Sequence, residues 1–343
     1  MMKIILEVKN YILRILRFLI YNKLNSIITL FLIGFAAFSL ILLTNWIFFI
    51  ADWRIIYNNF TLFLVGTFPI DYLWRPLLWL IILIIFTIYT INKSNNISKN
   101  TLYSFIFIFL LGIYLHMGGI GLKQVETRLW GGLTLTLILT FSSYILSIPI
   151  GIVLAISRQS NLRIIKIFST IYIEFIRAIP LITVLFFGQL LLPLLLPQSI
   201  ELNRVLRAII AFTLFMSAYI AEDIKGGIQS ISHHQTEASR SLGLNQYQTY
   251  LLIIIPQAIS ISLPSLTNQL IGLLQNTSLM AILGLLELLG ISQSLLANPL
   301  YIGKYMEIYA WLAFSYWFTC TTLALVAKQI ENKLLVYEIR KKR

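Results

Sequence analysis

The protein has 343 residues, of which 58% are apolar and only 11% are charged, and its mean hydropathy is +0.85. Soluble domains carry about 25% charged residues, so this composition excludes a soluble globular protein. Several apolar runs exceed the ~20 residues that a helix needs to cross a bilayer, and they lack the alternation of an outer-membrane barrel. The chain is predicted to be an all-α polytopic membrane protein.

The net charge of +13 does not require a nucleic-acid partner, because no basic patch alternates with a soluble aromatic module. A membrane protein acquires a basic excess by keeping Lys and Arg on the cytoplasmic side. The single cysteine, Cys320, cannot form an internal disulfide. The three histidines lack zinc-ligand spacing, so neither a metal site nor a cofactor is expected in this chain.

The first 25 residues mix basic and apolar residues at near-helical spacing, which predicts an amphipathic helix on the inner membrane face. The run at 26–50 is too long for the apolar region of a signal peptide and lacks a small-residue cleavage site, so it is interpreted as a signal anchor. About eight transmembrane helices are predicted, at 26–50, 75–92, 101–117, 129–156, 166–196, 205–222, 251–290 and 306–327. The seventh is too long for one straight crossing, and Pro256, Pro264 and Gly272 are expected to break it.

If the N-terminus is cytoplasmic and each span crosses the membrane once, the loops alternate between the two sides. This topology can be checked against the 26 Lys and Arg residues. Cytoplasmic positions hold Lys3, Lys9, Arg14, Arg17, Lys23, Lys93, Lys99, Arg158, Arg163, Lys166, Lys225, Arg240, Lys328, Lys333, Arg340, Lys341, Lys342 and Arg343. External positions hold Arg54, Arg75, Lys123, Arg128, Arg204, Arg207 and Lys304, and Arg177 lies within a span. This asymmetry places both termini in the cytoplasm.

The stretch TEASRSLGLNQYQTYLLIIIPQA, residues 236–258, interrupts the apolar sequence on the cytoplasmic side. Gly243 suits the end of a short helix, since glycine accepts the left-handed conformation. Asn245 followed by Gln248 is a capping-box pattern that begins a second helix. Glu237 and Arg240 are close enough to pair on the first helix. So short an element needs a partner surface, although an ordinary solvated loop is the alternative.

Glu237, Ala238, Gly243, Ile253 and Pro256 stand at the spacing of the EAA motif, and in this respect the chain resembles the membrane subunits of bacterial ABC importers. Ser239 replaces the second alanine of the motif. The resemblance implies that the segment docks into a separate ATP-hydrolysing subunit and transmits its motion. It implies ATPase-coupling roles for six residues in and beside the motif: Glu237, Ala238, Ser239, Arg240, Gly243 and Pro256.

Further segments resemble polar amino acid permeases, among them EFIRAIPLITVLFFGQLLLPLLLP and LIGLLQNTSLMAILGLLELLG, and the chain is most similar to the larger, M-type permease of general L-amino acid importers. The resemblance implies a five-helix type I importer core at 119–330, with a coupling loop at 223–256. Three additional N-terminal spans at 26–118, with an external loop at 51–74, look peripheral to that core. A basic cytoplasmic tail follows at 331–343.

The same resemblance implies a location in the bacterial inner membrane and several partners. These are an ABC ATPase, a second, Q-type permease and an extracytoplasmic amino-acid-binding protein, with an amino acid as the substrate. The resemblance does not specify which amino acids are carried.

Two polar groups inside the spans are candidates for the substrate path or its gate. Arg177 attracts a substrate carboxylate or governs an inner gate that bends at Pro180, or it forms only a local ion pair with Glu174. The second group is the most polar cluster of the later spans, and it either lines the path or packs helices. Its members are Gln275, Asn276, Thr277 and Ser278.

Three further acidic positions are expected to have structural roles. Glu222 and Asp223, with Lys225 close by, are predicted to form salt bridges with the coupling segment. Glu287 lies deep in an apolar run and is expected to be paired or to sit at an interface.

The chain contains no G-x-x-x-x-G-K-[ST] phosphate-binding loop, so it is predicted to be a non-catalytic subunit whose energy comes from a separate ATPase. An ion-driven secondary transporter is one alternative. Such proteins often show inverted repeats and paired broken helices, whereas this sequence has only one candidate for a broken helix. A lipid-linked transferase is another, but its carboxylates or histidines would have to gather at one interface. Here the acidic residues are dispersed.

Overall fold

The computed structural model describes residues 23–92, 99–197 and 199–341, and within these ranges the regular structure is helical, with two isolated β-bridges. The predicted amphipathic helix over residues 1–25 therefore falls almost entirely outside the described residues. The helices, in chain order, are α1 (Lys23–Asn45), α2 (Arg54–Asn58), α3 (Phe60–Val65), α4 (Trp74–Asn92), α5 (Lys99–Met117), α6 (Gly132–Arg158), α7 (Arg163–Ala178), α8 (Leu181–Phe186), α9 (Leu192–Leu195), α10 (Arg204–Gln229), α11 (His233–Ser241), α12 (Gln246–Thr249), α13 (Ile255–Asn276), α14 (Leu288–Leu296) and α15 (Tyr305–Lys341).

Among the described residues, seven helices are long and apolar enough to cross a membrane, and a bent pair makes up to eight. The seven are Asn25–Ile50, Ile70–Asn92, Asn100–Met117, Gly132–Arg158, Arg204–Gln229, Gln246–Ala281 and Tyr305–Glu331. The prediction of about eight transmembrane helices in an all-α protein is confirmed.

The predicted span at 166–196 is not one straight helix. It consists of α7 and the segment Leu181–Leu195, which meet at an angle of 105°. Proline removes a backbone donor and moves the preceding residue out of the helical region. In agreement, Ile179 and Pro180 both have extended backbones, each with ψ of 136°.

Helix α7 has two different faces. Ile164, Phe168, Ile171 and Phe175 form an exposed apolar stripe. On another face the Tyr172 hydroxyl donates to the Leu214 carbonyl at 2.7 Å, which attaches α7 to α10.

The seventh predicted span breaks at a different place from the one expected. Helix α13 continues through Pro264 and Gly272, and the helical structure ends after the 3-10 turn Thr277–Ala281. One missing hydrogen bond is tolerated in a membrane helix because its neighbours stabilise it. Pro256 lies in the first turn of α13, where proline lacks only a donor that a helix start leaves unpaired.

Within residues 55–343, helices α6, α10 and α13 form a central bundle. Gly151 on α6 faces Ile220 on α10 so closely that a Cβ atom would lie 2.5 Å from the isoleucine side chain. Across the other interface, the Ser262 hydroxyl on α13 donates to the Asp223 carbonyl on α10 at 2.7 Å. Small residues allow such close approach between membrane helices. A second contact on each side fixes the directions. Ser143 donates to the Ile209 carbonyl, so α6 runs parallel to α10, and Gly227 lies against Ala258, so α13 runs antiparallel to α10.

The chain divides into two compact units, Met1–Arg54 and Ile55–Arg343. In the described part of the first unit, Trp46 and Trp53 meet edge to face, with ring centroids 5.8 Å apart. In the second unit, Trp79 and Phe109 belong to the same buried core as Leu139 and Phe212. Helices α3, α4 and α5, which lie in the region expected to be peripheral, therefore bury apolar side chains in the same core as α6 and α10.

Candidate functional site

The segment from α11 to the start of α13 forms a compact helix–turn–helix, as the sequence predicts. Ser232 accepts a hydrogen bond from the His234 amide at 3.4 Å and begins α11. Gly243 follows the end of α11 with φ of +81°, the conformation in which glycine has an advantage over other residues. We refer to residues 233–254 as the coupling segment.

The predicted capping box at the start of α12 is confirmed. The Asn245 side chain accepts from the Gln248 amide at 2.8 Å, and the Gln248 side chain accepts from the Asn245 amide at 3.0 Å. Ser239 is buried, and its hydroxyl lies 2.9 Å from the Thr249 hydroxyl. Ser239 therefore fastens the two short helices to each other and does not face outward.

Several of the other coupling candidates face outward. Glu237, Ala238 and Arg240 are exposed, and Pro256 is exposed at the start of α13. Leu242 is 79% exposed. Glu237 lies 3.1 Å from His234 Nδ1, so its partner differs from the predicted neighbour Arg240. The coupling segment thus presents a small exposed surface that carries both apolar and charged side chains.

An ion network lies near the end of the bundle that carries the coupling segment. Arg158 on α6 contacts Glu174 on α7 at 2.5 Å and Glu222 on α10 at 2.6 Å. Arg177 on α7 contacts the same Glu222 oxygen at 3.2 Å, and Lys225 contacts the other oxygen at 2.8 Å. We refer to these five residues as the Glu222 network.

The network corrects two of the predicted pairings. The structure pairs Arg177 with Glu222 and Glu174 with Arg158, because the bundle brings three helix ends together. For the same reason Glu222 pairs with neighbouring helices and not with the coupling segment. The sequence reasoning missed Arg158. Its place in the last turn of a span was visible, but nothing in the sequence connects it with Glu174 or Glu222.

The four polar candidates at the end of α13 differ in accessibility. Gln275 is exposed, and its side-chain nitrogen lies 3.7 Å from the Cys320 sulfur. Asn276 and Ser278 are half-buried. Thr277 is fully buried, and its hydroxyl donates to the Leu274 carbonyl at 2.7 Å. Gln275, Asn276 and Ser278 are therefore the members that a passing molecule can reach.

The two groups of path candidates lie at different depths. Ser262 packs beside Asp223, next to Glu222, whereas Gln275 lies 13 residues further along α13. At 1.5 Å per residue this separation is about 20 Å along the helix axis. Arg177 and Gln275 therefore cannot hold one amino acid at the same time.

Comparison with known proteins identifies the class of membrane protein that carries this arrangement. Residues 147–336 match the family described as "Binding-protein-dependent transport system inner membrane component". The "Inner membrane amino-acid ABC transporter permease protein YhdY" of Escherichia coli K12 is 35% identical over 288 residues, which is 82% of this chain and 78% of that protein.

A second relative covers less of its own length. The "Glutamate/glutamine/aspartate/asparagine transport system permease protein BztC" of Rhodobacter capsulatus is 38% identical over 63% of this chain and 50% of its own length. Among solved structures, the crystal structure of "an amino acid ABC transporter with histidines" has a TM-score of 0.53 and 30% identity, and the match covers 59% of this chain and 92% of that one. With its membrane-crossing helices, the chain therefore belongs to the family of binding-protein-dependent transport system inner membrane components.

Proposed function

We propose that this chain is the membrane-spanning permease subunit of an ABC transporter that imports L-amino acids. The single observation that carries this proposal is the 35% identity to an amino-acid ABC transporter permease over 82% of the chain. The family match supports this reading rather than an ion-driven transporter or a lipid-linked transferase. In this proposal the subunit is a transport component, and ATP is hydrolysed by a separate subunit.

The coupling segment is the proposed contact with that ATPase. The coupling candidates Glu237, Ala238 and Arg240 are exposed on it, and so is Leu242. A helix of nine residues such as α11 gains little stability by itself, so a partner surface would stabilise it. Because the coupling segment connects α10 with α13, motion of that partner would be passed on to both helices. Ser239 and Gly243 support this role by fixing the shape of the segment, and Pro256 by starting α13.

The proposed substrate path has two stations. Gln275, Asn276 and Ser278 offer amide and hydroxyl groups to a zwitterionic amino acid, and Thr277 supports them from a buried position. Arg177 and Pro180 form the inner gate at the bend between α7 and α8. Since Arg177 is already paired with Glu222, the gate reading is favoured over permanent attraction of a substrate carboxylate.

The proposed assembly contains further subunits. A second, Q-type permease would complete the path, and an extracytoplasmic amino-acid-binding protein would deliver the substrate to the outer face. With the coupling segment in the cytoplasm, both termini lie on the inner side of the bacterial inner membrane.

The test is amino acid uptake and ATP hydrolysis by the complete transporter in vesicles. Glu237→Arg places a cation in the docking face, and Gly243→Pro requires φ near −65° where the structure has +81°. Both variants are expected to insert normally, to hydrolyse ATP and to lose most coupled uptake. Normal uptake in both would contradict the proposal.

Two matched controls accompany these variants. Glu331→Arg reverses a half-buried acidic residue of α15 outside the coupling segment. Gly226→Ala changes an exposed helical glycine that has nothing within 4 Å of the added methyl group. Both are expected to retain uptake close to that of the parent protein.

A further inference from the structure

Glu222 has the most ionic partners in the Glu222 network. Its side chain is 30% exposed, and its two oxygens contact Arg158 at 2.6 Å, Lys225 at 2.8 Å and Arg177 at 3.2 Å. Lys225 lies on the same helix, three residues away. Arg158 and Arg177 come from α6 and α7. One carboxylate therefore joins three helices.

Arg158 strengthens this junction through the shape of its guanidinium group. Its Nη1 atom reaches Glu222 and its Nη2 atom reaches Glu174. The planar guanidinium can serve two carboxylates at once, which an ammonium group does less well. Arg158 is also the least exposed of the network side chains, at 15%. The Arg158–Glu222 pair between α6 and α10 is therefore the pair of the network that is best shielded from solvent, whereas Glu174 is 57% exposed.

Arg177 is more weakly held by Glu222 than Arg158 is. Its side chain is 35% exposed, its 3.2 Å contact is the longest of those made by Glu222, and its guanidinium also lies 5.8 Å from the Tyr219 ring centroid. It occupies the last turn of α7, immediately before the bend at Pro180. The Arg177–Glu222 contact therefore holds the bend against α10.

Helix α10 connects this contact with the coupling segment. Glu222 lies seven residues before the end of α10 at Gln229, about 10 Å along the axis. Only Ser230, Ile231 and Ser232 separate that end from α11. Any displacement of the coupling segment along α10 therefore moves Glu222 relative to Arg158 and Arg177.

We propose that Glu222 is a positioning residue for the inner gate: it holds Arg177 against α10 and passes movement of the coupling segment to the bend at Pro180. This inference rests on the proposed function and adds the side chain that links the coupling segment to the gate. A charged pair between helices has two discrete arrangements, made and broken, as a switching element requires. While the pair is made, α7 follows α10. When it breaks, Arg177 is released toward the path.

The experiment uses the complete transporter in vesicles and measures two quantities. These are ATP hydrolysis without substrate and the number of amino acids transported per ATP. Glu222→Gln keeps the size of the side chain and removes its charge. It is expected to raise substrate-independent hydrolysis severalfold and to lower transport per ATP, and Arg177→Gln is expected to do the same.

A double variant separates positioning from two independent defects. If Glu222 acts through Arg177, the variant carrying both substitutions is no worse than the more affected single variant, because contacting residues are not additive. Additive losses would overturn the inference. Arg163→Gln changes an exposed arginine on α7 outside the network, and it is expected to leave both quantities near those of the parent.

A milder variant covers the case in which Glu222→Gln does not assemble. Arg158→Lys keeps the charge but cannot serve both Glu174 and Glu222 with one planar group, so transport per ATP is expected to fall to a smaller extent. Unchanged transport per ATP in Arg158→Lys would overturn the inference. Unchanged transport per ATP in Glu222→Gln would overturn it as well. If Glu237→Arg still abolishes coupled uptake, the proposed function stands without the role of Glu222. If Glu237→Arg also has no effect, both fail.

Discussion

Glu287 shows how a buried carboxylate is accommodated with no ion pair to any of the described residues. It is fully buried and caps α14, accepting from the Leu289 and Gly290 amides at 2.9 Å each. The Tyr316 hydroxyl donates to it at 3.2 Å and connects it to α15. Helix N-termini stabilise negative charge. From the sequence, Glu287 is expected to be paired or to sit at an interface. In the structure it is hydrogen-bonded where α14 meets α15.

Glu287→Ala is expected to destabilise the protein by about 1–2 kcal/mol, because loss of an N-cap costs roughly this much. Glu287→Gln keeps one acceptor oxygen and should cost less. The measurement is the thermal unfolding midpoint of the purified protein in detergent. Glu201→Ala, at an exposed position, serves as the control and should leave the midpoint unchanged. Equal midpoints for all three variants would contradict the capping role.

His116 is a residue whose surroundings were not foreseen. It looks like an ordinary boundary residue in the sequence, yet it is fully buried. Its ring is edge-on to those of Trp79 and Trp130, with centroids 5.2 and 5.5 Å away, and its Nδ1 atom lies 2.8 Å from the Gly112 carbonyl. The rings come from three separate segments, so no local pattern indicates the cluster.

At the scale of elements, two prolines have opposite consequences. Pro180 follows an extended Ile179 at a bend of 105°, whereas Pro264 lies inside the continuous helix α13. The difference comes from what surrounds each proline. Tyr172 and Arg177 contact α10 near the end of α7, and these contacts favour the bent arrangement. Helix α13 is held on both sides of Pro264, because Ser262 donates to α10 and the Leu266 carbonyl accepts from Tyr144 on α6.

Pro180→Ala restores a backbone donor at the bend and makes a continuous helix possible. We expect this variant to straighten the segment in part, to weaken the Arg177–Glu222 contact and to lower the rate of coupled uptake. Pro264→Ala is the matched control and should retain the parent rate. The angle between α7 and α8 can be followed by the distance between spin labels on the two helices. An unchanged distance and rate in Pro180→Ala would contradict this account.

At the scale of the whole second unit, the outer segment before α4 is joined to the bundle through backbone contacts. Gly66 and Gly131 are so close that a Cβ atom on Gly131 would lie 2.9 Å from the Gly66 Cα atom and 2.8 Å from the Leu286 carbonyl oxygen. The adjacent Gly132 amide donates to that carbonyl at 2.9 Å. Phe63 packs on Trp311, with ring centroids 6.2 Å apart. The segment is therefore packed into the second unit.

Gly131→Ala tests this junction by sterics alone, because Gly131 has an extended backbone with φ of −166° that alanine can adopt. The added methyl group forces apart two backbones that cannot yield easily. Overpacking of this kind costs about 1–3 kcal/mol, so the thermal unfolding midpoint should fall. Gly272→Ala places a methyl group where nothing lies within 4 Å and should have no such effect. Equal midpoints for the two variants would contradict the tight junction.

The sequence by itself determined the membrane class, the approximate positions of the spans and the local form of the coupling segment. Hydropathy, the capping box at Asn245 and the left-handed glycine at 243 depend on residues that are close in the chain. The family resemblance, carried by short motifs, likewise needed no tertiary information.

Only the tertiary structure decided which distant residues meet. The bend at Pro180, the passage of α13 through Pro264, the enclosure of His116 and the sharing of Glu222 by Arg158 and Arg177 all depend on neighbouring helices. The physical reason is that membrane helices associate through packing, small residues and interhelical polar contacts. These contacts join positions that are far apart in the chain, such as Arg158 and Glu222, which are 64 residues apart.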